Sequence, residues 1–216
     1  MHLLAATPGL ISDGGEAIDL GQTPGDIVVL SAADSDLACL AAAHDGSISL
    51  RLANLMRLSH HMSVDVYVDQ VIRHARLVVV RLLGGRSYWP YGIEQIADTG
   101  VPCAFLPGDD KPDSDLMSLS TLPAEAVERL WHYLLQGGRD NAGGFLAYAA
   151  SLIGQNREWR EPQPIPPAGL YPPGRTSDEL HRFWRPEAPL AALVFYRALV
   201  QSGDTQAIDA LVEGLG

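Results

Sequence analysis

Along the first half of the chain, short apolar runs alternate with stretches whose apolar residues recur every three or four positions. Residues 3–6 predict a first strand. Ile27–Ser31 predicts a second, apolar throughout as a strand covered on both faces must be. A helix is expected over 35–43, where Leu37, Leu40 and Ala41 fall at helical spacing, and a third strand over 50–55. Residues 63–75 predict a further helix with Val64, Val68, Val71, Ile72 and Ala75 on one face and Ser63 as its N-cap. Leu77–Leu82 is the clearest strand and ends at Gly84-Gly85. A helix over 91–97 is entered through Pro90, and a strand over 103–106 is closed by Pro107-Gly108.

Strands separated by helices of this length imply βαβ units and a parallel sheet. Residues 1–120 therefore read as an α/β domain with an open, mostly parallel, flavodoxin-like sheet and flanking helices. The pattern does not set the strand order. Residues 121–160 read as a helical extension. Its first helix carries Val127, Leu130, Trp131 and Leu134 and stops at Gly137-Gly138. Its second runs over 141–153, with Phe145, Tyr148, Ala149 and Leu152 on one side. Six prolines between 161 and 175 mark residues 161–188 as an extended, semi-rigid connector. Past it, residues 190–196 predict a buried strand, followed by a helix bearing Ile208, Leu211, Val212 and Leu215. One strand and one helix make no core of their own. Residues 189–216 are thus expected to open a second α/β unit that continues beyond residue 216.

Composition narrows the function classes. Hydrophobic residues make up 47% and charged residues 19% of the 216 positions, enough to bury a core. Acids outnumber bases 26 to 15, and the bases form no stripe, so nucleic acid and anionic membranes are poor partners. No apolar stretch reaches the ~20 residues of a membrane helix. The start of the chain lacks the basic segment of a signal peptide, and Cys39 and Cys103 lie in apolar surroundings without metal or redox spacing. A cytoplasmic protein is expected.

Two loops follow strands at their carboxyl ends, where open α/β sheets bind ligands. In the loop after Leu77–Leu82, Gly84 and Gly85 permit close backbone approach, Arg86 offers a carboxylate-matching fork, and Tyr88, Trp89 and Tyr91 offer flat faces. That set suits a planar, carboxylated ligand. From spacing alone, a tight turn whose aromatics pack on neighbouring segments is the favoured reading. The second loop carries His60 and His61, adjacent imidazoles that could meet a divalent metal, though no third ligand lies nearby in sequence. The aspartates at 109, 110, 113 and 115 lack the remaining features of a calcium loop and read as a solvated turn. No nucleotide-binding glycine loop, catalytic triad or zinc spacing is present.

Several longer stretches occur in order: Ile-Ser-Asp-Gly-Gly-Glu-Ala-Ile-Asp-Leu-Gly-Gln-Thr-Pro-Gly-Asp-Ile (11–27), Leu-Ser-Ala-Ala-Asp-Ser-Asp-Leu (30–37), Ser-Leu-Arg-Leu-Ala-Asn-Leu (49–55), Met-Ser-Val-Asp-Val-Tyr-Val (62–68), Leu-Gly-Gly-Arg-Ser-Tyr-Trp-Pro-Tyr-Gly (83–92), Leu-Pro-Gly-Asp-Asp-Lys-Pro-Asp (106–113) and Ala-Leu-Val-Phe-Tyr-Arg-Ala-Leu-Val-Gln (192–201). Together they resemble the N-terminal region of the CobN family, the large tetrapyrrole-binding subunits of cobaltochelatases, related to the magnesium chelatase H subunit. The resemblance implies a part in aerobic cobalamin biosynthesis. In that family Co²⁺ is inserted into hydrogenobyrinic acid a,c-diamide as substrate. ATP and Mg²⁺ are held by partner AAA+ subunits, CobS-like and CobT-like. It assigns no catalytic residue to this segment. Family members are far longer, so this chain alone is expected to be inactive. Where relatives carry a single His before Met-Ser-Val-Asp, this chain has His60-His61. A stand-alone flavodoxin-like module for a nucleotide, flavin or corrinoid, and a structural scaffold domain, are the alternative readings.

Overall fold

The computed structural model describes residues 16–181 and 187–215. The strand expected at residues 3–6 lies outside the described residues. The described chain runs β1 (Ile27–Ser31), α1 (Asp34–Ala43), β2 (Leu50–Asn54), α2 (His61–Gln70), β3 (Leu77–Leu82), α3 (Pro90–Ala97), β4 (Cys103–Pro107), α4 (Ser114–Met117), α5 (Ala124–Gln136), α6 (Arg139–Leu152), α7 (Ser177–His181), α8 (Arg197–Ser202) and α9 (Gln206–Leu215). The four strands form one parallel sheet in the order β2-β1-β3-β4. This is the flavodoxin-like order, the feature that the sequence pattern left open.

The sheet explains why its strands read as unbroken apolar runs. Each strand has side-chain period two, and both faces are covered. Ile27, Val29, Leu77, Val79, Ala104 and Leu106 face α1, α5 and α6. Val28, Leu30, Val78, Val80, Cys103 and Phe105 face α2, α3 and α4. Every residue of β1 and β4 is buried.

Three expectations change in detail. The helix predicted over 63–75 runs only over His61–Gln70. Val71 then breaks it, and a 3₁₀ turn at Ile72–His74 keeps Val71 and Ile72 in the core. Its N-cap is His60, whose Nδ1 accepts the Met62 N–H at 3.1 Å. Ser63 instead accepts the Ile18 N–H at 2.7 Å, fastening the segment before β1 onto α2. Residues 190–196 form no strand, and Leu190, Val194 and Tyr196 are exposed. A parallel strand needs a ladder partner, and among the described residues none lies beside this run.

The C-terminal segment nevertheless returns to the sheet domain. The Gly138 N–H donates to the Gln201 carbonyl at 2.6 Å, and α8 rests on α1. Gly137, at φ +67°, has no room for a side chain, since a Cβ there would stand 2.6 Å from that same carbonyl. The start of the Pro-rich connector is also held. Asn141 exchanges hydrogen bonds with the Gln163 backbone, and Arg129 pairs with Glu161 at 2.9 Å.

Candidate functional site

At the carboxyl edge of the sheet the two loops singled out by sequence meet. β2 delivers a 3₁₀ turn at Leu55–Leu58 and then His60 and His61. β3 delivers Gly84, Gly85 and a 3₁₀ turn at Arg86–Tyr88. The imidazole of His61 stacks on the phenol ring of Tyr91, with centroids 3.9 Å apart and planes 20° from parallel. Together with Ser59, Ser87, Tyr88, Trp89 and Pro90 they line a cleft of about 70 Å³. Tyr88 donates through its hydroxyl to the Met56 sulfur at 2.9 Å. Met56, Met62 and Leu83 are all exposed near these loops.

Several residues have roles that sequence spacing did not reveal. Trp89, expected among the ligand-facing aromatics, is only 3% exposed, and its indole N–H donates to the Leu58 carbonyl at 3.0 Å. It is the pivot under the loop, and the absence of a side chain at Gly92 makes room for its ring. Arg86 is exposed and faces Glu94 at 3.9 Å, a loose pair worth little in water. Asp65 was not anticipated. It lies four residues after His61, one helical turn along α2, and its Oδ1 accepts the Tyr91 hydroxyl at 2.7 Å. That bond, then desolvation and the carboxylate charge, push the Tyr91 phenol above its usual pKa. The i, i+4 spacing of His61 and Asp65 was the signal that could have found it. Asp113 was read as part of a solvated turn. Its Oδ1 caps α4 at the Leu116 N–H, 2.9 Å away, while its other oxygen crowds Gly85.

The metal reading of His60 and His61 gains no further ligands. Among the described residues, no three His, Cys, Asp or Glu side chains gather as a metal-holding group. His60 spends Nδ1 on its cap, and His61 lies flat on Tyr91.

The usual ligand crevice of this fold, between β1 and β3, is filled by the protein itself. Arg81 reaches across it to Asp36 at 2.8 Å and to the carbonyls of Gly108 and Leu134 at 3.0 and 3.3 Å. Ser31 donates to the other Asp36 oxygen at 2.7 Å. The first turn of α1 carries Asp34 and Asp36, which oppose a phosphate at that helix N-terminus. A broader polar groove of about 910 Å³ runs between α6 and residues 157–163, lined by Arg139, Asn141, Arg157, Trp159 and Glu161 among others. The sequence had no motif marking it. No described helix is long and apolar enough to cross a membrane.

Residues 131–216 match the family model CobN/Magnesium Chelatase. Over its whole length the chain is 47% identical to an aerobic cobaltochelatase subunit CobN from a Sinorhizobium species, and 44% identical to that of Pseudomonas aeruginosa. It spans 18% of the length of each of these curated relatives. Among solved structures, the catalytic subunit of cobaltochelatase from Mycobacterium tuberculosis superposes with a TM-score of 0.66 at 26% identity, covering 88% of this chain and 15% of that one.

Proposed function

Because the chain belongs to the CobN/magnesium chelatase family, we propose that it works as a segment of the tetrapyrrole-binding subunit of an ATP-dependent cobaltochelatase. The substrates are Co²⁺ and hydrogenobyrinic acid a,c-diamide, in aerobic cobalamin biosynthesis and in the cytoplasm. ATP and Mg²⁺ belong to CobS-like and CobT-like AAA+ partners. The observation that carries this reading is the 47% identity to a CobN subunit along the whole chain. Residues 1–120 serve as the sheet domain, 121–160 as its helical extension, 161–188 as connector and 189–216 as the lead into the rest of the subunit. The filled crevice between β1 and β3 supports this over a stand-alone nucleotide or flavin module. Asp34 and Asp36 would repel a phosphate, and Arg81 is already committed.

Within that role, the edge formed by exposed Gly84 and Arg86 and half-buried Gly85, Tyr88 and Tyr91 faces the macrocycle, with Arg86 toward a ring carboxylate or amide. A hydrogen bond to a charged group contributes about 1.5–3 kcal/mol. In the complete subunit carrying this segment, Arg86→Ala should therefore weaken hydrogenobyrinic acid a,c-diamide binding roughly tenfold to a hundredfold. Fluorescence titration reads this, beside a melting curve. Unchanged affinity in a well-folded variant would make the loop a scaffold element.

A further inference from the structure

We propose that Asp65 is a positioning residue that holds His61 and Tyr91 as a preassembled flat platform, on which a planar tetrapyrrole stacks. This rests on the reading that the β3–α3 loop faces the macrocycle. The cleft beneath the loop, about 70 Å³, is far too small to enclose such a ring. The ring must therefore lie across the rim, where flat side chains matter most. His61 is exposed while one of its faces is covered by Tyr91 at 3.9 Å, which leaves the opposite face to continue the stack. A Tyr side chain with a loose hydroxyl can swing about χ1 between rotamers. Here the hydroxyl is fixed by a 2.7 Å bond to Asp65, and Asp65 and His61 rise from the same helix one turn apart. Both ends of the stack are thus referred to α2, and the order is helix, carboxylate, phenol, imidazole, ligand. Orientation set before binding lowers the ordering cost of association. Stacking on a ring is tolerant of ring substituents, so the platform supplies affinity for the conjugated plane while Arg86 reads the periphery.

Two measurements test the assignment. In the chain itself, ultraviolet titration of the phenols compared with Tyr91→Phe isolates Tyr91. Its midpoint is raised by Asp65, so Asp65→Asn should lower it. The amide oxygen of that variant still accepts the hydroxyl, so the His61 ring resonances in NMR should keep their stacking shift. Asp65→Ala should lose that shift. In the complete subunit, hydrogenobyrinic acid a,c-diamide should bind about tenfold more weakly to Asp65→Ala and to His61→Ala, and near normally to Asp65→Asn and His61→Phe. Wild-type affinity in Asp65→Ala, with Arg86→Ala and Tyr88→Ala weakened, would overturn the positioning role alone. Wild-type affinity in all three would bring down the loop as a ligand face, and this inference with it. Equal loss in Asp65→Ala and Asp65→Asn would assign the effect to charge and also overturn the platform.

Discussion

At Gly85 the backbone stands at φ +71°, ψ −162°, a region that side-chain-bearing residues avoid at a cost of about 1–3 kcal/mol. A Cβ built there would lie 2.8 Å from Asp113 Oδ2, and the same carboxylate caps α4. One methyl group would strain the turn and displace the cap together. Gly85→Ala should lower stability by about 2–3 kcal/mol, measured by urea unfolding. Asp113→Ala should lose only the cap, about 1 kcal/mol. Equal effects of the two changes would remove the strain from the account. The paired glycines were legible in the sequence as a turn. What was not legible is that Asp113, 28 positions later in a loop read as solvated, fills the space one of them leaves. A close approach between distant segments leaves no periodic trace.

Among the elements, one largely covered cation ties the parallel sheet to the helices around it. Arg81, near the end of β3, ties that strand to α1 through Asp36, and to β4 and α5 through the Gly108 and Leu134 carbonyls. The two charged side chains are 11% and 15% exposed. Among the described residues, Arg81→Met would leave the Asp36 carboxylate with the Ser31 hydroxyl as its one side-chain partner, in a poorly solvated place. Removing one partner of such a pair costs about 3–5 kcal/mol, whereas replacing both with apolar groups is often nearly neutral. Arg81→Met should therefore destabilise by about 3 kcal/mol, and the double variant Arg81→Met/Asp36→Leu should recover part of that loss in a denaturant double-mutant cycle. Strict additivity would show that the two charges act independently. Element identity was largely readable here. All four described strands and the helices between them follow the apolar periodicity. The α2 cap was not, because imidazole is an uncommon cap and Ser63 two residues inside the helix is the commoner type. The Leu77–Leu82 pattern gave no sign that its one arginine would bridge three elements.

For the molecule as a whole, two apolar layers on the sheet account for the tightly built part, and the C-terminal part is fastened to it at few points. The family match begins at residue 131, so it spans most of the helical extension, the connector and the last helices. In that stretch the apolar pattern predicts burial that the chain alone does not supply. Leu190 is 72% exposed, Val194 91% and Tyr196 83%, while α9 buries Ile208 and turns Leu211, Val212 and Leu215 outward. The pattern was read correctly as apolar and wrongly as a strand, since a strand is defined by a partner that local sequence does not contain. A chain covering 18% of its relatives and carrying this surface should behave as a protein with an uncovered interface. We expect it to bind anilinonaphthalene sulfonate in its native state and to self-associate at high concentration in sedimentation velocity. Val194→Glu with Val212→Glu should reduce both, because each places a charge on an exposed apolar position. It should leave the melting transition nearly unchanged, since exposed substitutions usually stay within about 0.5 kcal/mol. A monomeric chain without dye binding would mean that these residues are covered in solution by another arrangement of the same segment. A collapse in melting temperature for the double variant would mean that they already belong to the folded core.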